Sequence, residues 1–173
     1  MVLALSGCIV SGPPDYHDPA QTPPVLSDVN PSLLGVLPAD TGRSGTPPSQ
    51  YTLTAKVRSE DVGGDGLIAL LYLDYGDLTN QVRQPALWTG PARTFSDTSR
   101  TVTLPWSAAN QPTGCHTLTM EVTHASNVTF AKGVPVVSLT PQDDVAFATW
   151  WVNIYDDPTS KDATSLSACK SQQ

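Results

Sequence analysis

The sequence predicts an all-β protein, a single antiparallel β-sandwich of about seven strands with an extended N-terminal tether. Short runs of alternating apolar and polar residues recur along the chain, and Pro- or Gly-rich turns separate them. No stretch longer than a few residues repeats its apolar positions with the period of a helix. Many short strands without helices between them fold as packed sheets. A jelly roll, which also packs two sheets, is the alternative.

The predicted strands differ in how clearly they alternate. Residues 51–58 alternate throughout, which predicts one buried and one solvated face. Residues 67–75 are apolar at nearly every position, which predicts a central strand whose outer side is also covered. The other predicted strands are residues 32–37, 81–88, 100–104, 115–124, 134–139 and 146–155.

The order and spacing of these strands resemble those of immunoglobulin-like and fibronectin-type domains over residues 25–157. Residues 114–118 (GCHTL) are similar to the start of the penultimate strand in many bacterial domains of this kind. The sequence departs from true immunoglobulin domains, because no Cys pair falls on facing core strands and no Tyr precedes Cys115 by two residues. The resemblance implies a fold and no particular function.

The N-terminal residues have the pattern of a lipid anchor. Residues 5–8 (LSGC) follow a short apolar run and resemble the lipobox of bacterial lipoproteins, in which the Cys carries diacylglycerol and a second acylation follows cleavage. The resemblance implies that residues 1–7 are a signal remnant and that Cys8 is the lipid attachment site, which would anchor the protein stably in a membrane. Ile9, where the family often has Asp for inner-membrane retention, implies the outer membrane. The sequence departs from a full signal in having no cation before the apolar run, and an ordinary buried Cys is the alternative.

Residues 8–24 are the predicted lipid anchor and tether. They are rich in Pro and poor in large apolar side chains, so they cannot bury enough surface to offset the entropy of ordering. In polyproline form, at about 3.1 Å per residue, such a tether would hold the domain roughly 50 Å from a membrane.

The other two cysteines are predicted to form a disulfide. Once Cys8 is assigned to lipid, Cys115 and Cys169 make an even pair in an exported protein. Alternation directs Cys115 away from the core, so its partner must come from outside the sandwich, and Cys169 lies in the tail, residues 158–173. The bond would stabilise the fold by about 4 kcal/mol. Two free thiols are the alternative.

The same alternation predicts an aromatic surface. If residues 67–75, 115–124 and 146–155 share a sheet, its outer face carries aromatic side chains edged by polar ones, which suits a protein partner or a sugar ring. The alternative is that the Pro-rich segment or the tail covers this face. Trp150 has the opposite parity and is predicted to lie in the core. The candidate binding residues are Tyr72, Phe147, Trp151, Tyr155, Thr119 and Glu121.

Composition and motifs argue against several functions. The net charge of −7 disfavours nucleic acid, which needs clustered cations, and no apolar run reaches the roughly 20 residues of a membrane-spanning helix. No nucleophile elbow, zinc-protease helix or phosphate loop is present. His116 and His124 are separated by about 27 Å of strand, too far to share a metal ion. We therefore expect no catalytic residue, metal or cofactor.

The expected function is that of a non-enzymatic bacterial cell-envelope lipoprotein, anchored to the membrane through Cys8. Its β-sandwich would serve protein–protein interaction in adhesion, as a scaffold or as an accessory subunit of an envelope complex. One alternative is a carbohydrate-binding module that uses Trp151, Tyr155 and Tyr72. Another is a hydrolase or inhibitor whose functional loop spans residues 125–145.

Overall fold

The computed structural model describes residues 22–59, 66–75, 82–91, 99–131, 134–137 and 144–157. Within these ranges there is one short 3₁₀ turn, Ala125–Asn127, and no helix long and apolar enough to cross a membrane. The described strands, in chain order, are β1 Val25–Asn30, β2 Val36–Asp40, β3 Gln50–Arg58, β4 Leu67–Leu73, β5 Val82–Gly90, β6 Arg100–Ser107, β7 Gly114–His124, β8 Val128–Ala131, β9 Val134–Val137 and β10 Val145–Tyr155.

Two sheets pack face to face, and a small hairpin adjoins them. One sheet has the order β1-β3-β6, the other has the order β2-β10-β7-β4-β5, and β8 pairs only with β9 among the described strands. The predicted all-β, immunoglobulin-like sandwich is confirmed, as is the prediction that β4, β7 and β10 share a sheet. One detail is corrected: β2 and β10 run parallel, whereas the other described pairs are antiparallel.

The strand predicted at residues 32–37 is misplaced. β1 pairs with β3 in one sheet, β2 pairs with β10 in the other, and residues 31–35 form the turn between them. Leu33 and Leu34 are therefore 39% and 88% exposed instead of lying in the core. The crossing is held by Trp150, whose indole Nε1–H donates to the carbonyl of Pro31 at 2.8 Å. Local alternation carries no signal for a chain that changes sheets, so the prediction was wrong here.

Alternate side chains from both sheets fill the core. Leu53 in β3, Leu104 in β6, Leu118 in β7 and Trp150 in β10 are all fully buried. The predicted inward direction of Trp150 is confirmed. Burial of this apolar area is the main force that holds the two sheets together.

β4 is buried on both faces, as its continuous apolar sequence predicts. Its inward side chains join the core, while Ile68, Leu70 and Tyr72 point to the other side of the sheet. There they form a second apolar cluster with Val128 of β8, against which Ala125 of the 3₁₀ turn also packs. The segment after β7 thus covers part of the outer face.

The free edge of β2 is protected against pairing with another strand. Pro38 has no N–H, and its carbonyl accepts a 2.5 Å hydrogen bond from the Tyr51 hydroxyl. Asp40 donates its N–H to Ser49 Oγ and accepts the Ser49 N–H at its carbonyl, both at 2.9 Å. Burial, with the nearby Tyr155, raises the pKa of Tyr51 and so keeps its hydroxyl protonated as a donor. A sheet edge with these groups already bonded is a poor template for aggregation.

Candidate functional site

The outer face of the five-stranded sheet brings the predicted binding residues together. Antiparallel pairing of β10 with β7 and of β7 with β4 aligns their outward side chains in cross-strand rows. From β10 through β7 to β4, the rows are Phe147–Glu121–Leu70, Thr149–Thr119–Tyr72 and Trp151–Thr117.

Half of this face, over β4 and β7, is closed to solvent. Tyr72 and Thr119 are each 3% exposed, and Glu121 is 2% exposed. Ala125 and Val128 account for part of the cover through the apolar cluster that includes Tyr72. A ligand therefore cannot touch these three predicted residues in this structure. Thr119 instead exchanges a hydrogen bond with Thr149 at 3.1 Å.

The other half of the face, over β10, is open. Phe147 is 49% exposed, and Trp151 and Tyr155 are partly exposed. Thr149, between the first two, is also exposed. The three aromatic residues predicted on the last strand thus reach solvent on the predicted side.

One aromatic residue of the site, Tyr75, was missed at the sequence level. Strict alternation after β4 would put Tyr75 on the face opposite to Tyr72. Asp74, however, has a φ of +52°, and this left-handed residue turns the chain back. The Tyr75 ring centre lies 5.2 Å from that of Tyr72 and 5.3 Å from that of Phe147. The only hint in the sequence was that Asp74 precedes Tyr75, because Asp tolerates the left-handed backbone conformation.

Tyr75 extends the open half into an apolar surface. Leu87 of β5 pairs with Leu70, so it lies on the same row as Phe147 and marks that row's far end. Tyr75, Leu87 and Phe147 are 40%, 43% and 49% exposed. We call these three residues the apolar patch. Three strand spacings, about 14 Å, separate Leu87 from Phe147, with buried side chains between them.

The apolar patch has one polar group whose state is set by its surroundings. Burial raises the pKa of the Tyr75 phenol, and the nearby Glu121 carboxylate raises it further, because both disfavour the phenolate. The hydroxyl of Tyr75 is consequently a neutral donor at physiological pH.

A second polar cluster lies inside one end of the sandwich. The carboxylate of Asp144 lies 2.7 Å from His124 Nδ1, and His124 Nε2 lies 3.4 Å from Ser59 Oγ. Asn127 donates to Asp144 Oδ2 at 2.6 Å, and the Thr123 hydroxyl donates to the Asp144 carbonyl, also at 2.6 Å. We call these five residues the buried clasp.

The buried clasp has the Ser–His–Asp order of a hydrolase relay, but its surroundings give it a structural role. His124 is 0% exposed, Asp144 is 2% exposed and Ser59 is 6% exposed, so a substrate has no route to the serine. The clasp joins the residue after β3, the end of β7, the 3₁₀ turn and the residue before β10. It therefore ties the two sheets together at one end.

Each strand-end histidine of β7 has its own carboxylate. His116 Nδ1 lies 2.6 Å from Asp74 Oδ2, while His124 bonds Asp144. Across the part of the chain that the structure describes, no three His, Cys, Asp or Glu residues gather as metal ligands do.

The cysteine predictions lie mostly outside the described residues. Cys115 is partly exposed at the start of β7, opposite Asn153 near the end of β10. Cys8 and Cys169 are not among the described residues, so lipid attachment and the disulfide stay predictions.

Comparison with known proteins identifies no family for this chain. No protein-family model and no curated protein matches the sequence. Among solved structures, the chain is similar to AggA, the major subunit of aggregative adherence fimbriae type I from Escherichia coli. The identity is 11%, the match covers 81% of this chain and 99% of that chain, and the TM-score is 0.39. A likeness this distant carries no inference about function.

Proposed function

We propose that this protein is a non-enzymatic, lipid-anchored component of the bacterial cell envelope that binds a protein partner through its apolar patch. The observation that supports this most is the exposure of Tyr75, Leu87 and Phe147, between 40% and 49%, on the outer side of the five-stranded sheet. Tyr75 and Phe147 are in ring contact, exposed apolar patches mark interaction sites, and aromatic residues dominate binding energy there.

The apolar patch is already ordered in the unbound protein. Tyr75 packs against both the buried Tyr72 and Phe147, so its ring is held before a partner arrives. Binding then immobilises few additional side chains and loses little entropy. A rigid aromatic patch beside the exposed hydroxyl of Thr149 has the apolar centre and polar rim of a protein interface. Adhesion, scaffolding and subunit assembly in an envelope complex would all use such a surface.

The proposal divides the chain into an anchor, a domain and a fastened tail. Residues 1–7 are a signal remnant, Cys8 carries lipid in the outer membrane, residues 8–24 form the tether, and residues 25–157 form the domain. The tail, residues 158–173, is fastened by a disulfide between Cys115 and Cys169. The position of Cys115 supports this last point, because β10 ends beside it and the tail therefore leaves the domain there.

The partner surface is tested by site-specific photo-crosslinking in cells. A photo-reactive amino acid at position 147 is expected to give a discrete crosslinked protein, because the side chain is exposed within the apolar patch. The same amino acid at position 103, exposed on the opposite sheet, is the matched control. In a separate affinity pull-down without the photo-reactive amino acid, Phe147→Ser should reduce recovery of that protein about tenfold or more, as expected for an aromatic hot spot. Equal adducts from both positions, or undiminished recovery by the Ser variant, would contradict the proposal.

The anchor and the disulfide are tested by intact mass. Protein extracted from membranes of cells that express the native gene is expected to begin at Cys8 and to carry added acyl chains. Reduction should add two hydrogens, and that gain should disappear in Cys169→Ser. An unacylated, fully reduced chain beginning at Met1 would remove both features from the proposal and leave the domain itself unaffected.

A further inference from the structure

A second surface lies on β10 beyond the apolar patch. After Phe147, the outward side chains of this strand are, in order, Thr149, Trp151, Asn153 and Tyr155. One hydroxyl therefore comes first, and one amide lies between the two aromatic rings. Thr149 is exposed and the other three are partly exposed. We call these four residues the polar–aromatic strip. The first aromatic ring of the strip, that of Trp151, lies four strand residues, or about 13 Å, from Phe147. A ligand can therefore occupy the rings of the strip without touching the apolar patch.

The neighbours of the polar–aromatic strip are almost all uncharged. Trp151 lies between Thr117 of β7 and Val36 of β2, and Asn153 lies between Cys115 of β7 and Pro38 of β2. Two described carboxylates lie at the Tyr155 end of the strip. Asp40, beside Tyr155, is 7% exposed, and its oxygens accept the Gly42 N–H at 2.8 Å and the Thr46 hydroxyl at 2.5 Å. Asp156, the next residue after Tyr155, accepts the Thr41 hydroxyl at 2.5 Å. Arg43, at that end of the strip, is already paired with Asp156 at 3.2 Å. The strip itself offers rings, hydroxyls and an amide to its ligand, and no cation of its own to neutralise a phosphate.

This chemistry fits one class of ligand. Pyranose rings present flat C–H surfaces that pack on aromatic rings and hydroxyl groups that bond to amides and hydroxyls, and Tyr and Trp offer both an apolar body and a polar tip. A nucleic acid or a phosphorylated ligand would require cations that the strip lacks. A protein partner would gain more from the larger apolar exposure of the neighbouring apolar patch.

We infer that the polar–aromatic strip binds a linear, uncharged oligosaccharide that runs along β10. Trp151 and Tyr155 are four strand residues, about 13 Å, apart, which is farther than a single sugar ring reaches. The ligand must therefore contain several linked rings, one on each aromatic side chain, with Asn153 bonding to the sugar between them. Tyr72, which the sequence placed in such a site, is excluded by its 3% exposure. The inference does not depend on the apolar patch or its protein partner.

The test is titration of the full chain with β-1,4-linked N-acetylglucosamine oligomers, from the monosaccharide to the hexasaccharide, and with a panel of other neutral linear glycans. Tryptophan fluorescence and calorimetry report binding. Affinity is expected to rise at least tenfold between the disaccharide and the hexasaccharide of the best-bound series, because only the longer chain contacts both rings. Trp151→Ala should abolish the fluorescence change and lower affinity at least tenfold, and Tyr155→Ala should remove the dependence on length.

A matched control separates this result from the proposed protein interaction. Thr103→Ala, on the outer face of the other sheet, should leave glycan affinity unchanged. Absence of binding across the whole panel, or equal affinity of wild type and Trp151→Ala, would overturn the inference. Crosslinking at position 147 would still succeed in that case, because it reports only on the apolar patch. Loss of crosslinking at position 147 with glycan binding intact would contradict the protein interaction and leave the glycan inference standing.

Discussion

Asp144→Ala is expected to lower the free energy of unfolding by about 3 kcal/mol, because it removes the central acceptor of the buried clasp. The Asp144 carboxylate bonds His124 Nδ1 and Asn127 Nδ2 in a region without solvent. Without it, the buried His124 Nδ1 loses this acceptor, and its desolvation is no longer compensated. The joint between the two sheets weakens at the same time.

Urea denaturation of matched variants measures this effect. Asp144→Asn retains one acceptor oxygen, so its loss should be smaller than that of the Ala variant. Lys56→Ala is the surface control: Lys56 pairs with Asp28 at 2.6 Å, but both side chains are more than half exposed. Its denaturation midpoint should stay close to that of the wild type, because exposed ion pairs contribute little. Equal shifts for Asp144→Ala and Lys56→Ala would show that the clasp does not stabilise the fold.

Trp150→Ala should destabilise the protein by about 4 kcal/mol, whereas Trp151→Ala should have a much smaller effect. The two residues are adjacent, but Trp150 is 0% exposed and points into the core, while Trp151 faces outward and is partly exposed. Trp150 also holds the turn between β1 and β2 by donating to Pro31. Its removal leaves a large cavity and an unbonded carbonyl.

Thermal and urea unfolding of the two Ala variants provide the comparison. Trp150→Phe should fall between them, because it refills most of the cavity and loses only the indole hydrogen bond, worth about 1 kcal/mol. A stability loss of similar size in both Ala variants would mean that the assigned faces of β10 are wrong. The polar–aromatic strip would then also be wrong, since it depends on the same alternation.

Alternation along single strands predicted the parts of the fold that depend on local sequence. The strands around residues 51–58, 67–75, 115–124 and 146–155 are confirmed. In β3 and β10 a shift of one residue would reverse a consistent buried face, whereas β4 follows from its continuous apolar run. The inward direction of Trp150 and the antiparallel pairing of β7 with β10 follow from the same pattern.

The features that were missed depend on contacts between distant segments. β1 and β2 lie in different sheets because the chain crosses between them, and no local period marks a crossing. Val128 covers Tyr72 although 56 positions separate them in sequence. Alternation therefore predicted the correct face for Tyr72 but could not predict that this side chain is buried. His124 and Asp144 form a pair across 20 positions, which spacing alone cannot reveal.

The candidate site was therefore predicted in part. The sequence identified the correct face and the three aromatic residues of β10, Phe147, Trp151 and Tyr155. It did not reveal that Thr119 and Glu121 are buried, nor that the left-handed Asp74 brings Tyr75 to that face. Exposure is set by what packs above a strand, and alternation describes only the strand itself.

The parallel pairing of β2 with β10 has a mechanical consequence. A pull on the chain through residue 36 and, in the opposite sense, through residue 155 slides these two strands past one another along their length. The hydrogen bonds between them then carry the load in shear and must fail together, whereas strands peeled from one end lose their bonds singly. Forced unfolding is governed by the unfolding rate. A domain tethered at its N-terminus and held on β10 would thus resist extraction by shear strength rather than by equilibrium stability alone.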